Sequence, residues 1–162
     1  MRIIKAKKEH LEKIIEIESI CFPPLEAASK QQFEERYKVF HNHFIVAIVD
    51  EEVIGFMNGA VTDQPILPDE LYHDAYLHNE AGDYQTVFGI AVLPEYQHQG
   101  VAGEMMRYFI ELAKLEKRKG IVLTCKDRLV GFYEKFGYQR LGVSDSCHGG
   151  AKWNDMLLLF EK

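Results

Sequence analysis

Several protein classes are excluded by what the chain lacks. Its 162 residues hold only three cysteines, Cys21, Cys125 and Cys147, an odd number without CxxC spacing. A disulfide framework and a cysteine zinc site are therefore not expected, and free thiols suit a cytoplasmic location. No apolar run reaches the roughly 18–20 residues that cross a bilayer. The opening Met1-Arg2-Ile3-Ile4-Lys5 turns charged too soon for a secretory signal. Excess positive charge is absent too: the formal net charge is −6, which disfavours nucleic acid as a partner. The one dense basic run, from Lys114 to Lys119, is broken by Leu115 and Glu116 and reads as a solvated helix end. His41, His43, His73 and His78 show no HExxH-type spacing, so no metal is expected. Repeats, low-complexity tracts and linkers are also missing, and one domain over 1–162 is expected.

What is there is a mixture of periods. Alternation predicts a first strand over Arg2–Ala6, and Leu11, Ile14, Ile15 and Glu18 at helical spacing predict a helix over Lys8–Ile20. Pro23-Pro24 stops it. Ser29 with Gln32 forms a capping-box pattern opening a helix to about Phe40. Strands are expected over Phe44–Val49, Val53–Val61, Thr86–Val92, Ile121–Cys125, Tyr138–Val143 and Trp153–Phe160, the last two as an antiparallel pair. A helix over Val101–Lys117 should bury Ala102, Met105, Met106, Phe109 and Ala113, and a short one spans Leu129–Phe136. The region from Thr62 to Asp83 has no clear period, which in a compact domain marks a functional or partly helical segment. Helices mixed with hairpins and crossovers point to an α/β (α+β) domain with a mixed sheet covered on both faces.

The strongest chemical signal runs from Val87 to Gly103: a strand, a brief turn, then Gln97-His98-Gln99-Gly100-Val101-Ala102-Gly103 opening a long helix. Unpaired N–H groups and the positive dipole end at a helix start bind phosphate oxygens. Gly100 and Gly103 would let a diphosphate approach the main chain, although glycine serving a tight turn explains them equally well. No GxxxxGK[ST] or GxGxxG accompanies the strand. Gln97-x-x-Gly100-x-Ala102 resembles the Gln/Arg-x-x-Gly-x-Gly/Ala signature of the GCN5-related N-acetyltransferase (GNAT) superfamily. The run from Val122 to Tyr138, and Glu16-Ile17-Glu18 with Phe22 and Pro24-Leu25, are similar to serotonin (arylalkylamine) N-acetyltransferases.

That resemblance spans nearly the whole chain. It implies a GNAT fold with a mostly antiparallel central sheet of about six to seven strands and about four flanking helices. It implies acetyl-CoA as cosubstrate, its pyrophosphate on the amides of His98, Gln99, Gly100, Val101, Ala102 and Gly103. Its pantetheine would lie along Ile90, Ala91 and Val92, and Tyr133 would address its sulfur. The reaction implied is acetyl transfer by direct attack of a small primary amine, possibly an arylalkylamine. The histidines that serotonin N-acetyltransferases carry before the phosphate loop correspond here to Thr86 and Phe88, neither of which can act as a base. Base candidates are Glu26, Glu18, Tyr84 and His148, with Glu26 preferred. Cys125 reads as a small buried strand residue. Phe22, Pro24, Leu25, Glu26 and Phe88 would wall the amine, and the Thr62–Asp83 stretch would cover it. Acetylation of a protein N-terminus or lysine, and an acyl-CoA sensor without catalysis, are the alternatives. A monomer or homodimer, without membrane contact, is expected.

Overall fold

The computed structural model describes residues 1–160. Along the chain, β1 (Arg2–Lys5) leads through a 3-10 turn into α1 (Leu11–Cys21), which buries Ile14, Ile17 and Glu18. The Ser29 hydroxyl accepts the Gln32 N–H at 3.1 Å and the Gln32 side chain accepts the Ser29 N–H at 2.8 Å, so α2 (Lys30–Phe40) starts on the expected capping box. Next come β2 (Phe44–Val49), β3 (Glu52–Asn58) and a two-residue β4 (Val61–Thr62). The aperiodic stretch holds α3 (Asp69–His73) and a 3-10 turn over Ala75–Leu77. β5 (Tyr84–Val87), β6 (Gly89–Val92), α4 (Val101–Leu115), β7 (Gly120–Cys125), α5 (Val130–Glu134), β8 (Gln139–Val143) and β9 (Asn154–Leu159) follow.

These strands form two sheets, ordered β1-β2-β3-β6 and β4-β5-β7-β9-β8. Every pairing is antiparallel except β5 with β7. β8 and β9 form the antiparallel pair read from the sequence. The expected single strand over Thr86–Val92 is two strands, because the chain changes sheets at Phe88. Thr86 N–H still bonds Ala60 O at 2.8 Å and Phe88 N–H bonds Asn58 O at 2.7 Å, so the sheets touch at this point. The run expected over Val53–Val61 also divides, at Gly59-Ala60, where a Cβ on Gly59 would lie 1.9 Å from Thr86 O. Among the described residues these two breaks raise the strand count to nine where six or seven were expected, and the short α3 raises the helices to five where about four were expected.

The breaks produce a slit. Up to Val87 the chain is bonded to β7, whereas from Gly89 onward it is bonded to β3 alone. β6 and β7 therefore diverge, and one edge of β6 faces open space. The core that holds this shape centres on Phe33, Phe44, Phe56, Ile54, Met57 and Met105, all fully buried. Each such side chain contributes about 1.5–3 kcal/mol. α4 buries Met105, Met106, Phe109 and Ala113 as the stripe predicts, together with Val101 and Ile110. Ala102, expected in that stripe, is only half-buried because it lies in the first turn, beside the slit.

Candidate active site

Two cavities meet in the slit. The outer one, about 440 Å³, runs along β6 and the start of α4. Gly100, at the N-cap of α4, has φ +82° and offers no side-chain cap, and His98 has φ +62°. The two left-handed residues turn the chain so that the first N–H groups of α4 border the cavity without a capping partner. A Cβ on Gly100 would touch nothing within 4 Å, so its backbone angle, not crowding, calls for glycine there. Gln97 ties the turn to the strand, its Nε2 donating to Val92 O at 3.0 Å, where the Cys21 thiol also donates at 3.3 Å. The Val92 carbonyl is thereby occupied.

Of the cofactor residues expected from the sequence, Ile90, Val92, His98, Gly100, Val101, Ala102, Gly103 and Tyr133 line this cavity. Ala91 and Gln99 do not: the Ala91 side chain is in the core, and Gln99 turns back to Glu95 O at 3.1 Å. Sequence reasoning missed Arg128, which lines the cavity, and Arg107, whose guanidinium would lie 3.6 Å from a Cβ on Gly103. Both are exposed cations near a helix start, the charge a diphosphate requires. Open amides, a left-handed glycine and these arginines fit coenzyme A.

The inner cavity, about 190 Å³, shares Ile90, Leu129 and Tyr133 with the outer one. Tyr133 is buried, with Phe132 and Tyr138 packed edge-on against its ring. Burial pushes its hydroxyl well above the usual tyrosine range, so it keeps its proton. Glu18, from the last turns of α1, lines the inner cavity, and a Cβ on Gly89 would lie 3.9 Å from its Oε1. Its Oε2 accepts the Ala28 N–H at 2.8 Å. Burial raises the Glu18 pKa, against the lowering effects of that bond and of Arg36 and His148.

Across the cavity, Tyr72 from α3 shares a 3.1 Å hydrogen bond with the Thr124 hydroxyl, and burial pushes it up to about 12. His148 stacks on Tyr72, with ring centroids 5.1 Å apart and planes 14° apart, and its Nε2 contacts Glu26 O at 2.9 Å. The loop carrying His148 therefore closes over the loop carrying Glu26, whereas the sequence led to a cover from the 62–83 stretch alone. A Cβ on Gly149, at φ +64°, would lie 2.6 Å from Glu26 Cγ.

Among the candidate bases, Glu18, Glu26 and His148 all line the cavity, and Tyr84 does not. The Glu26 carboxylate is engaged, accepting Lys126 Nζ at 2.8 Å. Phe22, Leu25 and Phe88 line the cavity as expected, while Pro24 is exposed and does not. Thr86 is fully buried, with its hydroxyl donating to Ala60 O at 2.7 Å. Cys125 is buried, and burial raises its thiol to about 11, first through desolvation and then through Asp127, so it stays an unreactive thiol. Arg36 and Thr124 were missed, whereas Tyr72 belongs to the 62–83 stretch that the sequence places against the amine. Arg36 alone left a signal, a charge in the Phe33–Arg36–Phe40 stripe of α2. Tyr72 and Thr124 meet only through the fold.

One His/Glu cluster exists among the described residues: His43, His78 and Glu80 have ligand atoms within 4.8 Å of one another, and none of them lines either cavity. Gln85 Nε2 donates to three carbonyls, so its Oε1 must accept the His43 Nδ1 proton at 2.8 Å. His78 Nδ1 accepts the Val61 N–H at 2.9 Å, leaving its Nε2 proton for Glu80 at 2.9 Å.

A sequence profile described as the acetyltransferase (GNAT) family matches residues 11–138. The chain belongs to that family. Among curated relatives, a serotonin N-acetyltransferase from Mesocricetus auratus is 32% identical over 91 residues, which is 56% of this chain and only 42% of that protein. A glucosamine 6-phosphate N-acetyltransferase from Schizosaccharomyces pombe is 26% identical over 106 residues, 65% of this chain and 88% of that one. Among solved structures, a GphF GNAT-like decarboxylase in complex with isobutyryl-CoA superposes with a TM-score of 0.85 at 16% identity, covering 98% of this chain and 99% of that one. At such identity the superposition shows the fold, and the GNAT architecture read from the sequence is the one observed.

Proposed function

We propose that the chain transfers the acetyl group of acetyl-CoA to the primary amine of a small molecule. The observation that carries this reading is the meeting of the two cavities at Ile90, Leu129 and Tyr133, with a buried carboxylate, Glu18, beside them. Family membership supports the cosubstrate, as do the open amides at the start of α4.

Acetyl-CoA supplies the acetyl group as a thioester; the amine nitrogen bonds the acetyl carbon as the carbon–sulfur bond breaks. An alkylammonium sheds two protons in the process, one ending on the departing thiol and one in solvent. An alkylamine of pKa near 10.4 is only about 0.04% neutral at pH 7, so the first proton needs an acceptor. Glu18 is the proposed acceptor in preference to Glu26: its carboxylate is paired with no lysine, and its raised pKa strengthens it as a base. The Tyr133 hydroxyl, held above the usual range, is a poor acid toward a thiol of pKa about 8.5. It serves instead as a hydrogen-bond donor to the sulfur as negative charge develops.

A cavity of about 190 Å³ is little larger than the roughly 150 Å³ engineered void that binds benzene. That favours a short amine, with one ring at most against Phe22 and Phe88, over an extended peptide. The test is thiol release from acetyl-CoA by the purified chain against phenethylamine, tryptamine, spermidine, lysine and short peptides. Release with small amines is expected. Release with peptides alone would replace the substrate, and none with any amine, despite acetyl-CoA binding, would favour a sensor.

A further inference from the structure

Arg36 is 4% exposed and lines the inner cavity, yet its guanidinium has little to hold. One N–H, on Nη2, donates to the Tyr72 carbonyl at 3.0 Å, and the buried Nε has no partner. Glu18 is near enough for its charge to be felt, but its Oε2 is committed to the Ala28 N–H. A buried guanidinium without a bonded anion is costly, and stable proteins pair such groups. The guanidinium sits over two rings, with Cζ 4.6 Å from the Phe88 ring centroid and 5.3 Å from that of Phe33. Stacking of this kind holds the ring faces and leaves the in-plane N–H fork to bind.

Resting on the acetyl-transfer reading above, we propose that Arg36 binds a carboxylate on the amine substrate, so that the substrate class is a short amine that also carries a carboxylate. Such a molecule complements both buried charges: its ammonium faces Glu18 and its carboxylate faces Arg36. Burial lowers Arg36 to about 10, which still leaves it charged at neutral pH. A phosphate fits less well. It would bring a second negative charge, whereas the other cation in the lining, Lys126, is already paired with Glu26.

The experiment uses matched amines that differ in one anionic group: β-alanine with propylamine, phenylalanine with phenethylamine, and O-phosphoethanolamine with ethanolamine. A charge-assisted fork should favour the carboxylated member by about 10- to 100-fold in kcat/KM, expressed in KM. Arg36→Gln should erase that ratio, and Arg36→Lys should recover part of it, with thermal melting used to confirm folding. Equal use of both members by the unaltered protein would overturn the proposal, as would a ratio that survives in R36Q or a preference for the phosphorylated amine. Calorimetric titration of β-alanine and propylamine into the coenzyme A complex needs no turnover. If no amine is acetylated, β-alanine binding that is lost in R36Q still upholds the carboxylate site, and absence of binding overturns it. Failure of acetyl transfer and failure of this site are thus read separately.

Discussion

At the residue scale, Glu18 and Tyr133 make opposite use of the same burial. Burial raises both pKa values, leaving the carboxylate a better base and the phenol a firmly protonated donor. Glu18→Gln should lower kcat by roughly 10²–10⁴. Because Gln can still accept the Ala28 N–H, its melting temperature should be unchanged or higher. The sign follows from linkage: a carboxyl whose folded pKa lies above its unfolded value stabilises the fold at low pH, and that contribution is lost as pH rises through the folded pKa. Turnover should therefore climb with pH through the raised Glu18 pKa, and this limb should vanish in E18Q. Tyr133→Phe should lower kcat without adding or removing a limb near neutrality, measured by the same thiol assay. Glu18 was legible because it completes the Leu11–Ile14–Ile15 stripe, and Tyr133 because the second motif carries it. Tyr72 lies in the 62–83 stretch expected to cover the amine, but its bond to Thr124 was not legible, since residues 52 positions apart leave no periodic trace.

At the element scale, the phosphate turn depends on two left-handed residues, His98 and Gly100. Gly100→Ala puts a side chain where L-residues lose about 1–2 kcal/mol. It should weaken acetyl-CoA binding by calorimetry, with little loss elsewhere because the space around it is open. Gly59→Ala is the contrasting case. Its Cβ would meet Thr86 O at 1.9 Å, so the melting transition itself should fall by an amount corresponding to at least about 1–3 kcal/mol. The long helices and most strand positions could be read from the chain, because stripes and alternation report burial on one face. The division of 86–92 could not. No turn or charge marks the break at Phe88, and only the partner strands, β7 before it and β3 after it, reveal the change of sheet.

At the scale of the whole molecule, the joint between the sheets is narrow, and a charged tie reinforces it from the side. Glu80 accepts from His43, His78 and Arg118. Burial would raise its pKa, but bonds from the two histidines outweigh this and hold it at about 2. Its contribution to stability is present above the unfolded carboxylate pKa and disappears as pH falls toward 2. His78 is lowered too, chiefly by desolvation, but for a histidine this disfavours the charged form, so its burial costs stability once pH falls below the unfolded value near 6.5. Melting temperature should thus rise between about pH 5 and 7, and His78→Gln should flatten that rise. The divergence of β6 from β7 has a further consequence. The open-side amides of Gly89–Val92 have no strand to shield them, so in deuterated water they should exchange through small local openings while β7 exchanges only with deep unfolding. Coenzyme A, lying in the gap, would act as the absent neighbour, and the difference in protection between the two strands should shrink when it binds.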